Sequence, residues 1–135
     1  MFNLIPSLEP YIDLLLAFIC GIVIGGEREL KKKPAGVSTQ TLVIGAATLF
    51  TYLSKSIYPE DPTRIAAQIV TGVGFLGAGI ILKSENKVTN LTTAASVWYS
   101  AAIGMALGFN QHLLALVATI YAVVISRIPK ISKEE

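Results

Sequence analysis

Apolar residues gather into five runs along the chain, 8–26, 41–57, 65–82, 91–109 and 112–128. Each is close to the roughly 20 residues that carry an α-helix across about 30 Å of hydrocarbon. The links between them are short and rich in turn formers and charge: Lys31-Lys32-Lys33-Pro34-Ala35-Gly36, Tyr58-Pro59-Glu60-Asp61-Pro62, Lys83-Ser84-Glu85-Asn86-Lys87 and Gly108-Phe109-Asn110-Gln111. The pattern predicts an all-α polytopic membrane protein, a compact bundle of about five transmembrane helices, with one transmembrane domain over 1–135 and no soluble domain. The second run carries Lys55 near its end, and that side chain has to snorkel to the interface.

Composition strengthens this reading. Of 135 residues, 53% are hydrophobic and 15% charged, whereas a soluble domain of this length needs more polar surface. No basic segment precedes the first run, and Gly25-Gly26-Glu27-Arg28 follows it where a cleaved signal would show a small-x-small site, so this run is expected to be retained. Cys20 is the only cysteine, which excludes an intrachain disulfide and a multi-cysteine metal site.

The placement of basic residues gives a direction. With the N-terminus outside, the cytoplasmic side collects Arg28, Lys31, Lys32, Lys33, Lys83, Lys87, Arg127, Lys130 and Lys133, and the outside keeps Lys55 and Arg64. Nine against two on short loops predicts an outside N-terminus and a cytoplasmic C-terminus. It also favours an odd number of spans.

Small residues recur at helical spacing. Thr92, Ser96, Ser100, Gly104 and Gly108 draw one stripe along the fourth run; Ala17, Gly21 and Gly25 do so on the first, and Ala118, Ala122 and Ser126 on the fifth. Lipid gives helices little hydrophobic drive to associate, so close approach of backbones has to supply it. Such stripes hold one bundle together or are shared with a second chain. In the third run Gly72-Val73-Gly74-Phe75-Leu76-Gly77 matches G-x-G-x-x-G, but the strand, helix and acidic residue of a dinucleotide-binding unit are missing around it. With Gly79, these glycines predict a close-packing surface, or else an unwound stretch whose carbonyls could bind a cation.

Ionisable and amide groups complete the chemistry. Asp13 lies about one turn inside the first run and needs the interface, a partner or an ion. Glu27, Arg28 and Glu29 precede the lysine triplet, and the pairs Glu27–Lys31 and Glu29–Lys33 are four apart, as on a solvated helix end. Gln68, Asn90, Thr92 and Thr93 add hydrogen-bonding groups at the ends of the third and fourth runs, as interhelical glue or as part of an ion path. The one histidine, His112, has no cysteine or second histidine to complete a metal or nucleophile site, and the serines lack a general base. The chain is expected not to be an enzyme, and nothing in it suggests nucleic-acid binding.

Three blocks carry a resemblance. They are Gly25-Gly26-Glu27-Arg28-Glu29 with Lys33-Pro34-Ala35-Gly36-Val37-Ser38-Thr39; the stretch from Pro62 through Gln68 to Gly79; and Asn90-Leu91-Thr92-Thr93-Ala94-Ala95-Ser96-Val97-Trp98. Together, and in this order, they resemble the MgtC/SapB family of membrane proteins. The resemblance implies a five-span protein of the prokaryotic inner membrane, associated with adaptation to low magnesium and, in some pathogens, with survival inside host cells. It further implies a regulatory role on other membrane proteins. Ser38 stands where the family commonly has arginine, Gln40 where histidine is frequent, and Ala17 where many members have arginine. The chain is expected to be the short SapB-like form without a C-terminal soluble domain.

Two functions are therefore expected. The first is a non-enzymatic membrane module linked to magnesium homeostasis, acting by helix contacts with itself, as a homodimer or other homo-oligomer, or with another membrane protein. The alternative is a magnesium or proton-coupled transporter or channel with Asp13, Glu27, Gln68 and the third run along its path. If Mg²⁺ is bound, Glu27 is the first candidate ligand and Asp13 the second; fourteen residues apart on one helix, about 21 Å, they cannot share an ion.

Overall fold

The computed structural model describes residues 7–129. Lys130 and Lys133 of the basic tally lie outside the described residues. Five helices run in order: α1 Glu9–Leu30, α2 Val37–Ile57, α3 Ala66–Ile80, α4 Leu91–Gly108 and α5 His112–Ser126. They coincide with the five apolar runs. The Lys83–Lys87 link is more than a turn, because β1 Leu82–Ser84 pairs antiparallel with β2 Lys87–Thr89, Lys83 opposite Val88.

Local chemistry sets the helix ends. Pro10 sits in the first turn of α1, where its missing N–H costs nothing. The far end of α1 runs four residues past the apolar run and closes when Lys33 N donates to Arg28 O and Lys32 N to Glu29 O. Lys32 occupies the left-handed position this closure requires, at φ 52°. The same closure ends α4: Gln111 N donates to Ala106 O and Asn110 N to Leu107 O, with Asn110 at φ 60°. Asparagine tolerates that conformation better than most residues. The start of α2 is capped from outside the helix, since Glu29 Oε1 accepts from Val37 N at 2.8 Å.

Two clusters form the core. Ala17, Cys20, Ile24, Ile44, Ile103, Leu107 and Ala115 join α1, α2, α4 and α5. Val43, Ala47, Ala66, Ile69, Val97 and Ala101 join α2, α3 and α4. Glycines let α1 and α4 press onto α2. A Cβ on Gly21 would lie 2.5 Å from Thr41 Cα, one on Gly104 2.6 Å from Ala47 Cβ, and one on Gly108 2.5 Å from Thr51 Cβ.

The third helix departs from expectation. It is a continuous α-helix, not an unwound segment. A Cβ on Gly72, Gly74 or Gly79 would meet nothing within 4 Å, so within this chain these three do not serve helix packing; Gly77 alone faces α4, at 3.6 Å from Ala94 O. The reason is that α3 leans on α4 through its buried residues Ala66, Ile69 and Gly77 and turns its other glycines outward.

The outer surface is apolar, with Leu113 74% and Phe75 82% exposed, and Phe18, Leu42 and Ile120 also facing outward. Of the described helices, α1 is both long and apolar enough to cross a bilayer; α3 and α5 are apolar but have 15 residues each. In α2 and α4 the threonines, serines and glycines that fit the interior dilute the hydropathy.

Candidate functional site

Charged groups gather at two poles of the bundle. At one, the ends of α1 and α5 meet. Glu27 receives Lys31 Nζ at 3.0 Å on Oε1, Arg127 Nη2 at 3.2 Å on Oε2 and Arg127 Nε at 3.3 Å on Oε1. Lys31 Nζ also donates to Ser126 O at 2.6 Å. Next along α1, the Arg28 guanidinium donates through Nε to Pro34 O at 2.8 Å and through Nη2 to Thr93 Oγ1. It thereby ties the α1–α2 link to the first turn of α4.

This corrects the expectation of a solvated helix end. Glu27 and Arg28 are buried, and only Glu29 faces outward, where it caps α2. The i,i+4 spacing of Glu27 and Lys31 is real, but the bundle folds α4 and α5 over it. Burial of two adjacent ionised groups is tolerable because both are hydrogen-bonded.

At the other pole, Asp13 is fully buried and its Oδ1 stands 2.6 Å from His112 Nε2. The carboxylate therefore reaches a partner on α5 rather than the interface; among the described residues Oδ2 has no hydrogen-bond partner. Nearby, Asn110 Nδ2 donates to Glu9, and Lys55 Nζ donates to Asn110 Oδ1 at 3.3 Å. The start of α1, the end of α2 and the α4–α5 turn are joined in this way.

Neither Mg²⁺ candidate keeps a metal-ready carboxylate. Glu27 is shared between two cations, Asp13 is engaged by a histidine, and no cluster of three His, Cys, Asp or Glu that could hold a metal forms among the described residues. The two lie toward opposite ends of α1, and Gln68 is exposed on the outer side of α3, so Asp13, Glu27 and Gln68 do not line one passage. Among the other candidates, Ser38, Thr39 and Thr92 are exposed; Thr92 therefore leaves the small-residue stripe. Asn90 adopts φ 63° before α4 and donates from Nδ2 to Ile80 O at 3.3 Å, closing the base of the hairpin.

Between the poles runs a buried polar seam. Gln40, fully buried on α2, donates from Nε2 to Ser96 Oγ at 3.2 Å and to Ala35 O at 3.2 Å. Its Oε1 accepts from Ser100 Oγ at 2.5 Å, and Ser96 Oγ donates to Thr93 O at 2.8 Å. Ser96 and Ser100 thus serve hydrogen bonding, while Gly104 and Gly108 of the same stripe serve close approach. Sequence reasoning missed Gln40 as a site residue, together with Arg127 and Ser126. One signal was available: Gln40, Val43, Ile44, Ala47, Thr48, Thr51 and Ser54 fall at three- and four-residue intervals, and all are buried.

The arrangement is that of a five-helix bundle with an apolar exterior, charges at two poles and a hydrogen-bonded seam inside. The chain belongs to the MgtC family, whose family model matches residues 14–133. It is 47% identical over 112 residues to Protein MgtC of Salmonella typhimurium, which covers 82% of this chain and 48% of that protein. It is 46% identical over 111 residues to Protein MgtC of Brucella abortus, with 82% and 47% covered. The chain thus spans about half the length of the curated relatives it matches. No solved structure matches it.

Proposed function

We propose that this chain is a five-span protein of the prokaryotic inner membrane, N-terminus outside, that acts without catalysis in adaptation to low magnesium through helix contacts with a second copy or with another membrane protein. The observation that carries this reading is the apolar exterior bounded by two charged poles, the form a bundle takes when lipid is its solvent. Alternation of pole along the chain agrees with the nine-to-two distribution of basic residues. Membership of the MgtC family supports the link to magnesium.

The glycines of the α1 and α4 stripes, Gly21, Gly25, Gly104 and Gly108, are consumed inside the bundle, whereas α3 keeps several open glycines that can offer a partner close approach. Gly74 and Gly79 are open there, and Trp98 of α4 stands half exposed beside Gly74. Cysteine placed at Gly79 in a Cys20→Ala background and oxidised in native membranes tests the contact; a chain that stays monomeric and captures no partner in crosslinking removes it. Deletion of the gene, followed by growth in low-magnesium medium with and without the restored chain, tests the physiological link.

A further inference from the structure

An open groove of about 520 Å³ runs between α2 and α3, lined by Leu42, Val43, Phe50, Gln68, Gly72 and Leu76 among others. It is apolar apart from Gln68. Along α3 it extends from Ile65 to Leu76, eleven residues or about 16 Å, close to the roughly 15 Å of hydrocarbon in one leaflet. Its rim carries large side chains, with Leu42 73% and Phe50 50% exposed. A crest of this kind holds a neighbouring helix at a distance but leaves room for a flexible chain.

The α2–α3 link beside the groove carries charges of both signs. Arg64 immediately precedes Ile65 and sits over the Tyr58 ring, 5.1 Å from its centroid. Its Nε is 3.6 Å from Asp61 Oδ2, and both side chains are more than half exposed. With Glu60 and Ile57 they line a hollow of about 320 Å³. One guanidinium and two carboxylates in one hollow complement a phosphate and an ammonium held a few bonds apart.

We infer that this is a phospholipid site for a zwitterionic amino headgroup: phosphate on Arg64, ammonium on Asp61 and Glu60, and one acyl chain in the α2–α3 groove. The inference rests on the membrane reading above and names a lipid partner that reading lacks. A surface arginine–aspartate pair contributes little in water, so opening it to a headgroup costs little.

Gly72 makes the test sharp, because it lines the groove and a Cβ added there meets nothing within 4 Å, so a larger side chain can occupy the groove without first displacing the backbone. The full chain, extracted in detergent, is titrated with palmitoyl-oleoyl phosphatidylethanolamine and, separately, with the matching phosphatidylglycerol, and bound lipid is counted by native mass spectrometry. We expect one retained lipid per chain with ethanolamine preferred, roughly tenfold weaker retention in Gly72→Leu at unchanged helicity, weaker retention of both lipids in Arg64→Gln, and loss of the headgroup preference when Glu60→Gln and Asp61→Asn are combined. Retention in Gly72→Leu equal to that of the parent, or no stoichiometric lipid on a chain that does fractionate with membranes, overturns the site. An interchain disulfide formed by Phe50→Cys in a Cys20→Ala background also overturns it, since a second copy would then cover the groove. A chain recovered without detergent from the soluble fraction overturns the membrane reading itself, and this site with it.

Discussion

His112 Nε2 stands 2.6 Å from Oδ1 of Asp13, a carboxylate without solvent exposure, so the one histidine of the chain fastens the start of α5 to α1. Removing the imidazole strands a buried carboxylate whose other oxygen has no partner among the described residues. We expect His112→Ala to lower stability by about 2 kcal/mol, read as a lower midpoint of thermal unfolding in detergent. His112→Gln keeps a donor within reach and should recover part of the loss. Equal midpoints for His112→Ala and the parent would deny the pair a structural role.

Glycine has two meanings in this bundle, and substitution separates them. A Cβ on Gly104 meets the Ile44 carbonyl oxygen and Ala47 Cβ, whereas one on Gly45 meets nothing within 4 Å. Gly104→Ala should therefore cost about 1–3 kcal/mol through displacement of α4 from α2. Gly45→Ala should be neutral or slightly stabilising, because alanine is the better helix former. Denaturant unfolding of the two variants side by side checks the contrast.

The buried amide on α2 organises its neighbours on α4. Gln40 joins Ser96 and Ser100 by hydrogen bonds of 3.2 and 2.5 Å, and both Gln40 and Ser100 are fully buried. Ser100→Ala leaves Gln40 Oε1 without this partner, and Gln40→Leu replaces the amide with a somewhat smaller apolar group. A double-mutant cycle on the pair is expected to return a coupling of about 0.5–1.5 kcal/mol, the range of interhelical hydrogen bonds in membrane bundles. A coupling indistinguishable from zero would reduce the seam to a packing feature.

Helix positions were legible because apolar runs and turn residues act locally: Leu91–Gly108 and His112–Ser126 coincide with their runs nearly to the residue. The small-residue spacing on α1 and α4 was equally plain, since Gly21, Gly25, Gly104 and Gly108 repeat every four residues. What each polar group faces was not legible. Arg28 and Thr93 are 65 residues apart, and Glu27 and Arg127 are separated by 100, so only the packed bundle brings them together. The same holds for Gly72 and Gly79: spacing marks them as fit for close approach, but the lean of α3 onto α4 decides that they face outward.

Glu27 is a hub for cations of the protein itself, and this bears on magnesium. Its carboxylate is engaged by Lys31 at 3.0 Å and Arg127 at 3.2 Å, which leaves a divalent ion to displace both. Magnesium also sheds its hydration water reluctantly and asks for several oxygen ligands, which Glu27 alone does not supply. Chelation of divalent ions should therefore leave the unfolding midpoint of the purified chain unchanged. Arg127→Ala should cost at most about 1 kcal/mol, because its side chain is largely exposed. Glu27→Ala should cost more, because it leaves Lys31 and Arg127 facing each other without the carboxylate between them. A chelator-dependent fall in the midpoint that Glu27→Gln abolishes would instead place a divalent ion at this pole, and the link to magnesium would then run through direct binding.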